Sequence, residues 1–200
     1  PQLIEQVRSW EAREAADPAA VDPTLAPVVV SAAARYGDPS TYERFLGIYE
    51  RRKQGGYTPQ QADYYGLALA RFQQPELVER TLASIGSFTL PFPIMGGLLG
   101  TLITTPRTQV ATWEWLKRTW ALIAERAPMF VVLSVEISGN LPASLRADVS
   151  AFWEANLHGE YAGAVARALE MLDQNAAFQA RTRDGLIAYF RMRGLFASRA

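Results

Sequence analysis

The sequence predicts an all-α fold, built as an α-superhelix of antiparallel helix pairs. Three observations support this prediction. Nearly every segment repeats its apolar residues at the helical period, prolines stand where helices would begin, and one of these helix starts recurs 36 residues later. The chain has 200 residues, of which 49% are hydrophobic, so it is long enough to bury a substantial core.

The first half of the chain contains four segments with an apolar stripe at helical spacing. In chain order the stripes consist of Leu3, Ile4, Val7 and Trp10; of Tyr42, Phe45, Leu46 and Tyr49; of Ala62, Tyr65, Leu69 and Phe72; and of Val78, Leu82 and Ile85. Before the third stripe, Thr58 is suited to be an N-cap and Pro59 to occupy the first helical position. The basic run that ends the second segment, at residues 51–53, is expected to be a solvated helix end that complements the helix dipole.

The second half continues in the same pattern. The segment TPRTQVATWEWLKRTWALI predicts a helix with Trp113, Leu116, Trp120 and Ile123 on one face. Two further helices are predicted from SLRADVSAFWEANL and from AGAVARALEMLDQNAAFQARTRDGLIAYF. The short apolar run MFVVLSVEI has the length of a strand or of a buried helix, and its helical surroundings favour the helix.

A repeated helix start indicates how the helices are organised. Residues 39–46 and 75–82 share a proline, an apolar residue, Glu-Arg and a leucine at the same offsets, and further prolines at Pro106 and Pro142 are expected to begin helices. The intervals between these prolines are 36, 31 and 36 residues. Two-helix repeats of about 30–45 residues stack into solenoids, which predicts four to five helix pairs.

The segment SFTLPFPIMGGLLGTLITTP belongs to a stretch without any ionisable side chain, between Arg80 and Arg107. Pro91 and Pro93 interrupt it, and its glycines weaken a helix further, so a continuous membrane span of about 20 residues is not predicted. We expect instead a helix that ends near Gly86, an extended connection over residues 88–93, and a short buried helix over residues 94–104.

Two finer expectations concern the same segment. Because a proline pushes the preceding residue toward extended geometry, Leu90 and Phe92 are expected to be extended. The glycines at positions 96, 97 and 100 are expected to let the short helix approach its neighbours closely.

Composition excludes several kinds of chemistry. The chain has no cysteine, and its one histidine, His158, cannot form the histidine pair of a zinc site by itself. We therefore predict no catalytic residue and no metal ligand in this chain, and a helix-end role for His158 beside Gly159. An enzymatic cleft would need groups such as Tyr64, Glu136 or His158, and no spacing supports one. Twenty basic and twenty acidic residues balance, which argues against nucleic acid as a partner.

Three stretches together indicate a family. GDPSTYERFLGIYERRK followed by TPQQADYYGLALARFQQPELVERTL, then TPRTQVATWEWLKRTW, then ADVSAFWEANLHGEYAGAVARALEMLDQNAAFQARTRDGLIAYF appear in this order over residues 35–190. In order and spacing they resemble the C-terminal domain of the M1 family of zinc aminopeptidases, the aminopeptidase N and puromycin-sensitive aminopeptidase type. The domain that they resemble is the family's ERAP1-like C-terminal domain.

The resemblance implies a HEAT/armadillo-like α-superhelix that closes over a zinc-bearing catalytic domain of the same polypeptide, limits access to its active site and contacts the distal part of a peptide substrate. The family's Gly-x-Met-Glu-Asn and His-Glu-x-x-His motifs are absent here, so zinc is expected in that other domain. We expect residues 1–200 to be one helical-repeat domain. Because the chain starts at Pro1 rather than at a methionine, we also expect it to be the C-terminal piece of a longer aminopeptidase.

The resemblance also indicates one candidate substrate-binding residue and one departure. Arg107 stands near a turn where the family often has a basic residue, and its guanidinium could pair with a peptide carboxylate; the alternative is a solvated arginine at a helix start. TLPFPIMGG replaces a segment that is often polar in the family. The tryptophans are expected to lie in the core rather than against a ligand. This expectation is weakest for Trp115, because it lies off the main apolar stripe.

A second function, from another class, remains open at this point. The chain could be a free-standing α-helical repeat module that binds a protein or peptide on its concave face. The two hypotheses differ in whether a zinc-protease domain is encoded before Pro1.

Overall fold

The computed structural model describes residues 2–194, which form ten α-helices and, among these residues, no strand. The helices are α1 (Gln2–Ala16), α2 (Ala26–Arg35), α3 (Pro39–Lys53), α4 (Pro59–Ala68), α5 (Pro75–Gly86), α6 (Phe92–Thr104), α7 (Gln109–Arg126), α8 (Met129–Ser138), α9 (Arg146–Asn156) and α10 (Ala162–Met192). Short 3-10 turns lie at Pro18–Ala20, Leu69–Arg71, Ala143–Leu145 and Gly159–Tyr161. The predicted all-α class is confirmed, as is a helix rather than a strand for MFVVLSVEI.

The chain divides into two compact units, and the division lies between Phe130 and Val131, within α8. In the first unit each odd helix packs on the even helix that follows it: α1 on α2, α3 on α4, and α5 on α6. The even helices α2, α4 and α6 contact one another in order, while α5 contacts α7. Stacked helix pairs in two layers are the packing expected of an α-solenoid.

Local capping rules explain where several helices begin. The Asp38 carboxylate accepts hydrogen bonds of 2.8 Å from the Thr41 backbone N–H and from the Thr41 and Ser40 hydroxyls, and together these lower the pKa of Asp38 to about 2. Pro39 then takes the first helical position of α3, as Pro75 does for α5. Thr58 and Gln61 form a capping box at the start of α4, as the predicted N-cap at Thr58 requires.

The other two proline-led starts are wrong by about one turn. Pro106 lies in the turn before α7, which begins at Gln109. Pro142 is the N-cap of a 3-10 turn, and α9 begins only at Arg146. In both places the chain makes an extra turn before the regular helix starts.

The Glu-Arg pair of the repeated helix start has a structural explanation. Arg44 of α3 donates to both carboxylate oxygens of Glu11 in α1, at 2.7 and 2.6 Å. Arg80 of α5 binds the carboxylate of Glu43 in α3 in the same bidentate way, with 3.0 Å between Nη2 and Oε2. Each arginine thus pairs with a glutamate of the preceding odd helix. The glutamate directly before Arg44 in the sequence, Glu43, in turn pairs with the arginine of the next odd helix, α5. The recurrence of Glu-Arg therefore records contacts between successive helix pairs.

The uncharged stretch forms α6 and lies in the core. Six of its side chains are buried: Ile94, Met95, Leu98, Leu99, Leu102 and Ile103. A β-carbon at Gly97 would overlap the Leu67 side chain of α4, so Gly97 makes the close approach that was predicted. At Gly100 nothing lies within 4 Å of such a β-carbon, and the same prediction is wrong there.

Phe92 corrects a further expectation, because it is the first residue of α6 rather than extended. The missing N–H of Pro93 falls in the first turn, where an N–H has no partner inside the helix. The Phe92 ring packs edge to face on Phe130, with 4.7 Å between the centroids, which holds it there. Among residues 2–194, no helix combines the length and the apolarity needed to cross a membrane.

The second unit is organised around α9 and the long helix α10. The Trp153 indole Nε1 donates a hydrogen bond of 3.0 Å to the Ser138 hydroxyl, and both residues are buried. Gly139 lies so close to α10 that a β-carbon there would come within 2.9 Å of the Ala168 carbonyl oxygen. Along α10, Leu172 is the last buried residue.

The tryptophans divide between core and surface. Trp113 and Trp153 are fully buried, and Trp120 is 6% exposed. Trp115 is half-buried, in line with its position off the stripe, and Trp10 is 38% exposed, which corrects its expected place in the core.

Replacing Trp120 by alanine tests this assignment. Because the side chain is almost fully buried, Trp120→Ala is expected to lower the free energy of unfolding by about 3–5 kcal/mol. The exposed Trp10 supplies a matched control, since Trp10→Ala should cost less than about 1 kcal/mol. Denaturant unfolding of both variants measures the difference. A loss below about 1 kcal/mol for Trp120→Ala would place the residue at the surface.

Candidate functional site

A buried ion pair joins α1 to the hairpin of α3 and α4. Glu14 in α1 has no exposed surface and Arg52 in α3 has 4%. The Arg52 Nη1 lies 2.8 Å from Glu14 Oε1, and Nη2 donates to Glu14 Oε2 at 3.2 Å and to the Glu14 carbonyl oxygen at 2.9 Å. Arg52 also donates to the Gln61 carbonyl oxygen at 2.9 Å. The expected solvated position is therefore wrong for Arg52.

Two tyrosines of α4 complete the coordination of the Glu14 carboxylate. The Tyr65 hydroxyl donates to Oε2 at 2.6 Å, and the Tyr64 hydroxyl donates to Oε1. Burial raises the pKa of both phenols, and their hydrogen bonds to Glu14 raise it further. Both phenols therefore stay protonated and remain donors at neutral pH.

Glu11 forms the second half of this cluster. It is 2% exposed, binds the half-exposed Arg44 and lies 3.1 Å from the Tyr65 hydroxyl. The two carboxylates and two guanidinium groups of the cluster balance in charge, and each carboxylate has several donors. Both buried carboxylates are therefore satisfied by partners of the same chain, as buried charged groups usually are.

The cluster connects α1 to α3 and α4, in addition to the packing of α1 on α2. Glu11 and Glu14 are the buried residues of α1, whereas Leu3 of the predicted apolar stripe is 72% exposed. The helix face toward α3 and α4 is thus defined by carboxylates instead of the apolar stripe. Sequence patterns did not indicate this, because the arginine partners lie 33 and 38 residues further along the chain.

An open groove lies beside the cluster, between α1 and α3. Its volume is about 540 Å³, and its walls carry Arg8, Arg44 and Arg51 together with Glu11. Ala33, Gly37 and Ile48 form the buried part of its lining, and Ala12, Ala15 and Ala16 border it along α1. A second groove, between α5 and α7, has a volume of about 410 Å³ and carries charges of both signs: Glu79, Glu114 and Arg118, beside Trp115.

Arg107 lies exposed in the turn between α6 and α7. Within residues 2–194 its side chain has neither an ion pair nor a side-chain hydrogen bond. The turn itself is anchored, because the buried Thr108 hydroxyl donates to the Leu102 carbonyl oxygen at 2.5 Å. A guanidinium in this position is available to an external carboxylate.

The remaining polar residues considered from sequence have other places. The Tyr64 hydroxyl donates a hydrogen bond to the Glu14 carboxylate. Glu136 is exposed on α8, and His158 is the exposed N-cap of the turn Gly159–Tyr161. Within the described part of the chain, no group of three or more His, Cys, Asp or Glu side chains could hold a metal ion.

These features define the class of the chain as an all-α protein built from packed helix pairs. The family model described as "ERAP1-like C-terminal domain" matches residues 1–174, and the chain belongs to this family. The resemblance to the C-terminal domain of M1 aminopeptidases is thereby confirmed. Aminopeptidase 2, mitochondrial, of Saccharomyces cerevisiae is 23% identical over 190 residues, covering 88% of this chain. The chain spans 19% of the length of that relative.

The ion pair can be tested by removing its negative charge. Glu14→Gln leaves the Arg52 guanidinium buried without a counter-charge, so the free energy of unfolding should fall by about 3–5 kcal/mol. Glu50→Gln, which removes the exposed partner of Lys53, is the matched control and should change it by less than about 1 kcal/mol. Chemical unfolding followed by circular dichroism gives both values. Equal, small losses would mean that the cluster does not hold α1.

Proposed function

We propose that residues 1–200 serve as the non-catalytic C-terminal domain of an M1-type zinc aminopeptidase, enclosing its active site and helping a peptide substrate to reach and bind there. The observation that supports this most is the family match over residues 1–174, which extends across both compact units. In this proposal the zinc ion belongs to a catalytic domain elsewhere in the same polypeptide. Catalytic zinc takes three protein ligands, commonly histidines, and this chain has one histidine.

The domain would act through shape and charge rather than through a reacting group. Packed helix pairs form a rigid wall, and a wall over an active site excludes water and restricts which substrates enter. The exposed Arg107 would bind a carboxylate of a bound peptide, a contact in which two parallel N–H···O bonds fix orientation. Such a contact strengthens substrate binding without changing the chemical step.

The assignment predicts that the isolated chain is inactive. Purified residues 1–200 should not hydrolyse an amino-acid anilide, with or without added zinc, because they lack the ligands and the general base of a zinc peptidase. The longer polypeptide that contains this chain serves as the positive control, and a chelator should abolish its activity. Robust hydrolysis by the isolated chain would refute the proposal.

Arg107 is tested in the longer polypeptide. Arg107→Ala should raise KM for peptides by about three- to tenfold, since one charge-assisted contact is lost at an exposed site. Hydrolysis of an amino-acid anilide, which is too short to reach the arginine, should stay unchanged. Arg126→Ala, at an exposed arginine near the end of α7, is the matched control. If peptide KM is the same in both variants, Arg107 is a solvated surface residue.

A further inference from the structure

We propose that the groove between α1 and α3 binds an acidic, extended polypeptide segment through its side-chain carboxylates. The inference goes beyond the proposed function, since it needs only the first unit and a binding measurement. It rests on the shape of the groove, on its uncompensated positive charge and on the fixed position of one of its arginines.

The groove is formed by one face of each helix. On α1, Arg8, Glu11 and Ala15 follow one another at helical spacing, and on α3 Arg44 and Arg51 do the same. Two parallel rows of side chains therefore border the groove along its length. An extended segment lying between them would meet arginines on both sides.

The buried lining allows a polypeptide backbone to come close. The buried lining consists of Ala33, Gly37 and Ile48, so it is apolar and only Ile48 has a side chain beyond the β-carbon, while the alanines at positions 12, 15 and 16 border it on α1. Gly37 is required by the fold itself, because a β-carbon there would come within 2.7 Å of the Phe72 ring. The volume of about 540 Å³ falls in the range of known binding clefts.

The charges in the groove do not cancel. Glu11 is neutralised by Arg44, which leaves Arg8 and Arg51 and a local charge of +2. Arg8 makes one hydrogen bond of 3.2 Å, to the Tyr36 carbonyl oxygen, and Arg51 has no partner within residues 2–194. A guanidinium carries five N–H donors, so both arginines keep donors for a ligand.

Arg44 makes the site partly preorganised. Its guanidinium is fixed by two hydrogen bonds to a buried carboxylate, yet its side chain is 45% exposed. Its charge is compensated by Glu11, but a guanidinium has five N–H donors, so those not bound to Glu11 can donate to a ligand that Arg8 and Arg51 attract, from an orientation that is already fixed. The groove between α5 and α7 carries two carboxylates, Glu79 and Glu114, and one guanidinium, Arg118, so an excess of positive charge distinguishes the first groove from it.

These features favour a peptide over a nucleic acid. Nucleic-acid sites have a basic stripe that follows successive phosphates, whereas this chain has no net charge and the groove has two uncompensated cations above an apolar buried lining. Carboxylates spaced along one segment would then bind Arg8 and Arg51 from the same ligand.

The test uses the full chain and a fluorescent peptide of alternating glutamate and alanine, blocked at both ends so that only side-chain carboxylates are available. Arg8→Gln/Arg51→Gln should weaken its binding about tenfold or more, because two charge-assisted contacts are lost. Arg71→Gln/Arg126→Gln removes two exposed arginines elsewhere in the first unit and should leave the affinity unchanged. Thermal unfolding of both double variants verifies that they fold.

A second variant blocks the groove without changing charge. Ala16→Leu adds a larger side chain to the α1 side of the groove and should reduce binding of the same peptide, whereas Ala124→Leu, on the exposed side of α7, should not. Competition by inorganic phosphate as effective as that by the peptide would identify a small-anion site and overturn the proposal. Equal binding of a lysine-alanine peptide, or unchanged binding by the arginine double variant, would also overturn it. None of these readouts depends on a catalytic domain, so their failure leaves the aminopeptidase assignment to its own test.

Discussion

The ion pair between Glu14 and Arg52 is the contact on which the first unit depends. Burying two charges costs several kcal/mol per ion, of the order of 5, unless every donor and acceptor finds a partner. Here Tyr64, Tyr65 and a backbone carbonyl supply those partners. A cluster that lacked one of them would leave a buried charge unsatisfied and lower the stability of the fold. A contact with this requirement specifies one position of α1 against α3 and α4. The groove between α1 and α3 lies beside this contact, and its walls belong to the same two helices.

Weaker ion pairs repeat between successive helix pairs. Glu11 with Arg44 and Glu43 with Arg80 are partly or largely exposed, and exposed pairs contribute little to stability, about 0–1 kcal/mol each. Their geometry is nevertheless bidentate, which favours one register of one odd helix against the next. The buried pair thus supplies specificity at one place, while the repeated pairs extend the same alignment along the layer. This division explains why Glu-Arg recurs in the sequence while Glu14 and Arg52 have no repeated counterpart.

Sequence patterns within single helices predicted most of the helices but little of the buried cluster around Glu14 and Arg52. Caps such as Thr58, prolines such as Pro39 and the apolar stripe around Trp113 act within one helix, so the sequence alone predicted those helices. Phe92 was mispredicted because a ring contact with Phe130, distant in sequence, overrides the local preference. Arg52 sits in a basic run that is typical of a solvated helix end, and its partner lies 38 residues away. Only tertiary packing distinguishes it from its neighbour Arg51, which is exposed.

The pattern of paired and unpaired arginines bears on where this domain meets other molecules. The chain is electrically balanced overall, and Arg44, Arg52, Arg80 and Arg146 each bind a carboxylate of the same chain. Among the arginines without an ion pair in the described residues, Arg51 and Arg107 lie beside well-anchored structure. One borders a groove that lies beside the buried cluster, and the other extends from a turn that Thr108 holds in place. A cation on a rigid support loses little entropy when it binds an anion, so interactions of this domain should be sought first at these two arginines.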